Sequence, residues 1–226
     1  SFTWTGPFGG GKSSLAVALA SALHPDRGLR AKARAALKLD LKPAFDKAFP
    51  VRKGWLVVPV VGRRGSVVAE LGAAIRRAQG KSFDGRNKPN AQSVISELLT
   101  EAKERPGDGV LVFIDEMGKF LEASALGSGD DVYFFQELAE ASARSEGRLV
   151  VVGVLHQSFA QYSARLGIDT RDDWTKVQGR YLDLPFVAAS DEVVELIGRA
   201  IEAKRRPEWM VDASNTVAEA IRSRRP

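Results

Sequence analysis

Gly6-Pro7-Phe8-Gly9-Gly10-Gly11-Lys12-Ser13 is the stretch on which the reading of this chain turns. It fits G-x-x-x-x-G-K-[ST] without exception, follows a short β-rich run (Phe2 to Thr5), and opens a helical pattern that starts near Lys12. Glycines let the backbone curl until successive N–H groups point inward at a β-phosphate, an approach that side chains would obstruct. The N–H groups that begin the helix add positive potential at the same place. Lys12 would then reach the β- and γ-phosphates, and the Ser13 hydroxyl would ligate Mg²⁺. Pro7, Phe8 and Ser14 belong to the same expected phosphate-binding set. The competing reading is a glycine-rich turn with a surface lysine.

Val110-Leu111-Val112-Phe113-Ile114-Asp115-Glu116 is an apolar strand that ends in two carboxylates. Acids are tolerable only where a buried strand emerges at its carboxyl end, which is where ligands bind in open α/β sheets. Asp115 there can hold Mg²⁺ as a Walker B aspartate does, and Glu116 can polarise the attacking water. A helix cap or surface acid is the bland alternative. A small-molecule kinase must keep water from the γ-phosphate, whereas a hydrolase needs a base beside it, so the Asp-Glu pair favours hydrolysis. Guanine specificity would call for Asn-Lys-x-Asp. The nearest string, Asn87-Lys88-Pro89-Asn90, lacks that carboxylate, and ATP is the expected nucleotide.

A third apolar run, Leu149 to Leu155, ends in His156-Gln157-Ser158. His156 or Gln157 could sense a γ-phosphate from such a position, or could simply hydrogen-bond a neighbouring strand end. Ser158 reads as a helix cap. Arg180 lies on a turn before the short run Tyr181 to Leu184, which Pro185 should stop. From there it could reach a γ-phosphate held by a neighbouring subunit, or pair with Asp183 or Asp172. Arg165, Arg171 and Lys119 are weaker candidates for that role.

Between these landmarks β-rich runs alternate with helical patterns, which implies an α/β fold of three layers with a parallel sheet between helices. Leu15, Ala18, Leu19 and Ala22 mark the first helix, and a second strand is expected over Trp55 to Val61. Val68, Leu71 and Ile75 mark the next helix, and Val94, Ile95, Leu98 and Leu99 one that starts near Asn90. Phe134, Phe135, Leu138 and Ala141 follow the Gly127 to Gly129 loop. Beyond Pro185, Val193, Leu196, Ile197, Ala200 and Ile201 form an amphipathic pattern that Pro207 ends, and a last helix is expected over Ala213 to Arg222.

The chain has 226 residues, 44% hydrophobic and 27% charged, the balance of an ordinary globular protein. It has no cysteine, which excludes disulfides and thiolate metal sites, and no apolar run long enough to cross a bilayer. A soluble, cytoplasmic protein is expected. The opening at Ser1, without Met and close to the glycine loop, suggests part of something longer. Net charge is +5, yet Arg27 to Lys53 alone carries nine basic residues against Asp40 and Asp46, a local excess of seven. That segment reads as a nucleic-acid or acidic-partner surface, or as a solvated, partly helical insertion.

Together these residues resemble the ASCE division of P-loop NTPases, and within it AAA+ and STAND-like ATPases. The resemblance rests on Gly6 to Ser13, Val110 to Glu116, the strand ending at His156, and Arg180, and spans roughly residues 1 to 186. It implies a five-stranded sheet in the order 5-1-4-3-2 and a helical lid over 187 to 226. That lid is short and has no clear sensor arginine, Arg199 being a candidate, which departs from AAA+ proteins proper and from ring formation. The strings Ile114 to Glu122 and Leu155 to Phe159 are also similar to ATPase subunits of bacterial phage-defence systems. The expected activity is ATP hydrolysis by an oligomeric switch or motor, alone or in a multi-subunit complex, acting on a protein or nucleic-acid partner. A nucleotide-gated module with little turnover and a small-molecule phosphotransferase are the alternatives.

Overall fold

The computed structural model describes residues 1–81, 89–164, 166, 168–186 and the positions 212, 213, 215, 216 and 219. Two compact units divide the chain, Ser1–Val187 and Ala188–Pro226. The first holds strands β1 (Phe2–Thr5), β2 (Leu56–Val61), β3 (Val110–Asp115), β4 (Leu149–Leu155) and β5 (Leu182–Pro185). All pairings are parallel and the order is β2-β3-β4-β1-β5, the expected 5-1-4-3-2 read from the other edge.

Alternate residues of the central strands serve two separate apolar clusters, which makes the fold three-layered. Val110, Val112 and Ile114 of β3 face helices α4 (Val67–Ala78), α5 (Ala91–Lys103), α6 (Met117–Ala125) and α7 (Tyr133–Arg144). Leu111 and Phe113 face the opposite layer, built from α1 (Lys12–Ala22) and the aromatic residues Phe45, Phe49 and Trp55. β3 and β4 are buried on both faces, which is why they read as nearly unbroken apolar runs.

Local chemistry sets the helix starts. Ser66 accepts the Ala69 N–H ahead of α4, and Asn90 and Ser93 form a reciprocal cap on α5. α2 (Arg27–Ala36), a 3-10 turn (Leu39–Leu41) and α3 (Pro43–Ala48) fill the segment between α1 and β2, and α8 (Phe159–Tyr162) and α9 (Ile168–Gln178) lie between β4 and β5.

Three details depart from expectation. α1 packs through Ala16, Leu19, Ala20 and Leu23, with Ala22 fully buried as expected, whereas Leu15 is 42% exposed. Trp55 lies outside β2 because its N–H donates to the Leu23 carbonyl (2.9 Å) at the end of α1. Pro185 belongs to β5 rather than ending it. The N–H groups of Leu182 and Phe186 donate to Ser1 and Thr5, so the nitrogen of Pro185 faces the open sheet edge, where no donor is needed. Arg165, the Val193 to Ile201 pattern and Arg199 lie outside the described residues. Of the expected last helix, Ala213, Asn215, Thr216 and Glu219 are helical.

Candidate functional site

β1 delivers the glycine loop to the carboxyl edge of the sheet. Gly9 and Gly11 take φ values of 77° and 76°, which a side chain would disfavour, and Gly11 then opens α1. Gly6 donates to the Leu155 carbonyl (3.2 Å), which pins the loop to the end of β4. Lys12 is only 4% exposed. Its ammonium donates to the carbonyls of Gly6 and Pro7, both at 2.7 Å, so the loop holds its own lysine inward. Burial pushes that lysine below its ordinary pKa, and the nearby Asp115 works in the opposite direction.

Ser13 stands beside the end of β3. Its hydroxyl donates to Asp115 Oδ2 at 2.9 Å, which joins two motifs separated by 102 positions. The other carboxylate oxygen of Asp115 accepts the Glu116 N–H at 2.9 Å. Glu116 itself adopts a left-handed backbone (φ 50°) between β3 and α6, and its carboxylate forms an ion pair with Lys119, one turn later. A cavity of about 530 Å³ opens over this edge, lined by Phe8, Gly9 to Ser14, Val61, Asp115, Glu116 and His156. The hydroxyl and carboxylate oxygens of Ser13 and Asp115 are hard donors suited to Mg²⁺, which commonly takes only one or two protein ligands. Among the described residues there is no cluster of three or more His, Asp or Glu that could hold a metal.

His156 and Gln157 part company. β4 turns Val152 and Val154 toward the α1 layer, and His156 continues that parity to the glycine loop, where its ring stacks on Phe8 (3.6 Å between centroids, 24° between planes). Neither ring nitrogen of His156 has a hydrogen-bond partner among the described residues. Burial lowers its pKa first, and the charge of Lys12 lowers it further. Gln157 is exposed and lines a different cavity with Gln161, Tyr162 and Leu126. Parity along β4 puts the two on opposite faces, and strand order decides which of those faces meets the glycine loop.

Arg180 lies at the opposite edge. In the parallel register Leu182 stands beside Phe2 and Pro185 beside Thr5, so Arg180 precedes the strand at its amino end while the glycine loop follows Thr5 at the carboxyl end. It cannot reach the glycine loop of its own chain. Its partner is Glu140 of α7 at 3.4 Å, not Asp183 or Asp172. Asp183 instead accepts from the hydroxyls of Thr3 (2.8 Å) and Thr5 (2.5 Å). Arg171 donates to the Ala164 carbonyl. Of the two weaker candidates among the described residues, Lys119 reaches the site, through Glu116.

Two features escaped the sequence reading. Gly62, at the end of β2, donates to the Asp115 carbonyl at 2.7 Å, and a Cβ there would lie 2.0 Å from the Glu116 carbonyl oxygen. The strained turn that carries Glu116 therefore needs glycine on the neighbouring strand. A second cavity of about 410 Å³ adjoins the first and brings Arg63, Arg64, Lys119 and Tyr162 to Phe8, Glu116 and His156. Proximity of this kind depends on strand order, which local sequence does not display.

No protein-family model matches the chain, and no curated protein sequence is significantly similar to it. Among solved structures, the Aeropyrum pernix ORC2 protein, determined as ADPNP and ADP complexes, is similar over 87% of this chain, with a TM-score of 0.50 at 15% identity. The match covers 44% of the length of that protein. The likeness is one of fold, an α/β architecture around a five-stranded parallel sheet. No helix among the described residues is long and apolar enough to cross a membrane.

Proposed function

We propose that this chain binds ATP with Mg²⁺ at the carboxyl edge of its sheet and hydrolyses the γ-phosphate bond. The single observation that carries this reading is the Ser13–Asp115 contact of 2.9 Å, because it unites the glycine loop and the acidic strand end at one point. In this reading residues 1–186 are the ATPase core and 187–226 a lid-like segment. The whole acts as an oligomeric switch or motor on a protein or nucleic-acid partner. That the similar ORC2 protein was determined with ADPNP and ADP supports a nucleotide as ligand.

The roles follow from position. Loop N–H groups from Gly9 to Ser14 and the ammonium of Lys12 receive the β- and γ-phosphates, Lys12 exchanging the carbonyls of Gly6 and Pro7 for phosphate oxygens. Ser13 and Asp115 hold Mg²⁺, which when bound neutralises charge on the β- and γ-phosphate oxygens. Glu116 takes the proton of a water whose oxygen bonds to the γ-phosphorus as the bond to the bridging oxygen breaks, leaving ADP and phosphate. His156, kept neutral by burial, is the polar group that senses whether a γ-phosphate is present. Arg180 serves a neighbouring subunit. A bacterial phage-defence or STAND assignment rests only on the resemblance of the strings around Glu116 and His156.

One observation favours a second reading, a nucleotide-gated module with little turnover: Glu116 is paired with Lys119 rather than free to take a proton. Phosphate release under saturating ATP and Mg²⁺, measured for the wild type and Glu116→Gln, separates the two. Hydrolysis predicts steady release that falls on the order of a hundredfold in the variant while nucleotide binding persists. Tight binding without release in either protein would establish the gated module instead, and release only in the presence of a small-molecule acceptor would indicate a phosphotransferase.

A further inference from the structure

The stretch from Arg27 to Lys53, which lies between α1 and β2, carries more positive charge than the whole chain. Its excess of seven exceeds the net +5, so the remainder of the molecule is net negative. The segment is also firmly built. Phe45 and Phe49 turn inward, Phe49 meets the Trp55 ring at 5.4 Å, and Asp108 accepts the backbone N–H groups of Arg52, Lys53 and Gly54 at 2.7 to 3.0 Å. Both of its acids are spent on one residue: Asp40 and Asp46 pair with Arg34, at 3.4 and 2.5 Å, and the Arg34 guanidinium also lies over Phe45. Arg30 is committed to the carbonyls of His24 and Pro25. Across α2, the 3-10 turn and α3 that leaves Arg27, Lys32, Lys38, Lys42 and Lys47 exposed, with no side-chain partner among the described residues.

We propose that this surface binds the phosphate backbone of a nucleic-acid duplex. Five uncommitted cations spread over α2, the 3-10 turn and α3, rather than gathered in a cleft, suit a linear polyanion whose condensed counterions they displace. Single-strand stacking lacks an exposed ring, since Phe45 and Phe49 are half-buried. Insertion into a lipid surface lacks an apolar face, because only Leu29, Leu37 and Leu41 are exposed there, without an aromatic anchor. The segment leaves the end of α1 and returns to the start of β2, at the sheet edge away from the glycine loop. Binding there is therefore independent of the nucleotide reading and can be measured without ATP.

The test is fluorescence anisotropy with a labelled DNA duplex of about 20 base pairs, titrated between about 50 and 200 mM salt. Lys32→Glu combined with Lys42→Glu should weaken binding tenfold or more and reduce the slope of log affinity against log salt by about two. Lys81→Glu with Lys103→Glu changes net charge equally on exposed positions elsewhere and should weaken binding less than threefold. If circular dichroism shows that the first pair unfolds the protein, Lys32→Gln with Lys42→Gln replaces it and should still weaken binding severalfold. Equal losses in the two pairs, or wild-type protein that ignores the duplex while binding anionic vesicles or a polyglutamate peptide, would overturn the proposal.

Discussion

The Ser13 hydroxyl donates to Asp115 Oδ2 across 2.9 Å, and that bond ties the first turn of α1 to the end of β3. Neither residue is near the other along the chain, so the contact exists only because β4 and β1 lie side by side, with β3 next to β4. Everything proposed for the site is arranged around this pair.

Lys12 is the counter-charge of the glycine loop. Lys12→Ala should weaken binding of a fluorescent ATP analogue by about 10- to 100-fold, the scale of one lost charge-assisted hydrogen bond of about 1.5–3 kcal/mol. Unchanged affinity in a folded variant would remove the phosphate-binding assignment.

Lys119 holds the carboxylate of Glu116. Lys119→Met should free that carboxylate and raise the phosphate-release rate about two- to tenfold, since an oxygen held by the ammonium is not available to accept from a water. A fall in rate with affinity preserved would mean instead that Lys119 assists the reacting phosphate.

His156 titrates below its ordinary value of 6.5 because burial and Lys12 disfavour its charged form. Above pH 6.5 both folded and unfolded chains carry it neutral, and its contribution to stability is fully present. As pH falls below 6.5, the unfolded chain takes up a proton that the folded chain resists, so stability is lost. Between about pH 7.5 and about pH 5.5 the thermal midpoint of the wild type should fall further than that of His156→Asn. Parallel curves would show that the imidazole is protonated equally in both states.

Gly62 leaves room for the Glu116 carbonyl, which a Cβ would meet at 2.0 Å. Gly62→Ala should destabilise the fold by about 1–3 kcal/mol in urea titration, the usual range for an overpacked site. It should also slow hydrolysis, because the turn that aims Glu116 must shift. Wild-type stability and rate together would mean that the turn adapts freely.

Arg180 pairs with Glu140 at half-exposed positions, an interaction worth about 0–1 kcal/mol, so Arg180→Ala should remain folded and bind ATP normally. It should nonetheless hydrolyse poorly if its guanidinium serves a neighbour. Mixing Arg180→Ala with Glu116→Gln and allowing subunits to exchange should restore part of the activity, since a shared site can then combine one intact Arg180 with one intact Glu116. An inactive mixture of two inactive variants rules out the shared site, and full activity of Arg180→Ala alone leaves only the pair with Glu140.

The loop from Gly6 to Ser13 and the strand from Val110 to Glu116 were legible in the sequence because their signals are local. Backbone curvature demands glycine, and a doubly buried strand demands an unbroken apolar run that can end in acids only where it leaves the core. Helix starts at Ser66 and Asn90 are local for the same reason: a cap is satisfied within three residues. Tertiary structure alone decided which way side chains at element ends point and what they meet. It turned His156 onto Phe8 and Gln157 away, placed Gly62 under the Glu116 turn, and put Arg180 at the edge remote from its own glycine loop. Those outcomes depend on strand order and on packing between residues far apart in the chain, and the chemistry of a few consecutive residues cannot encode either.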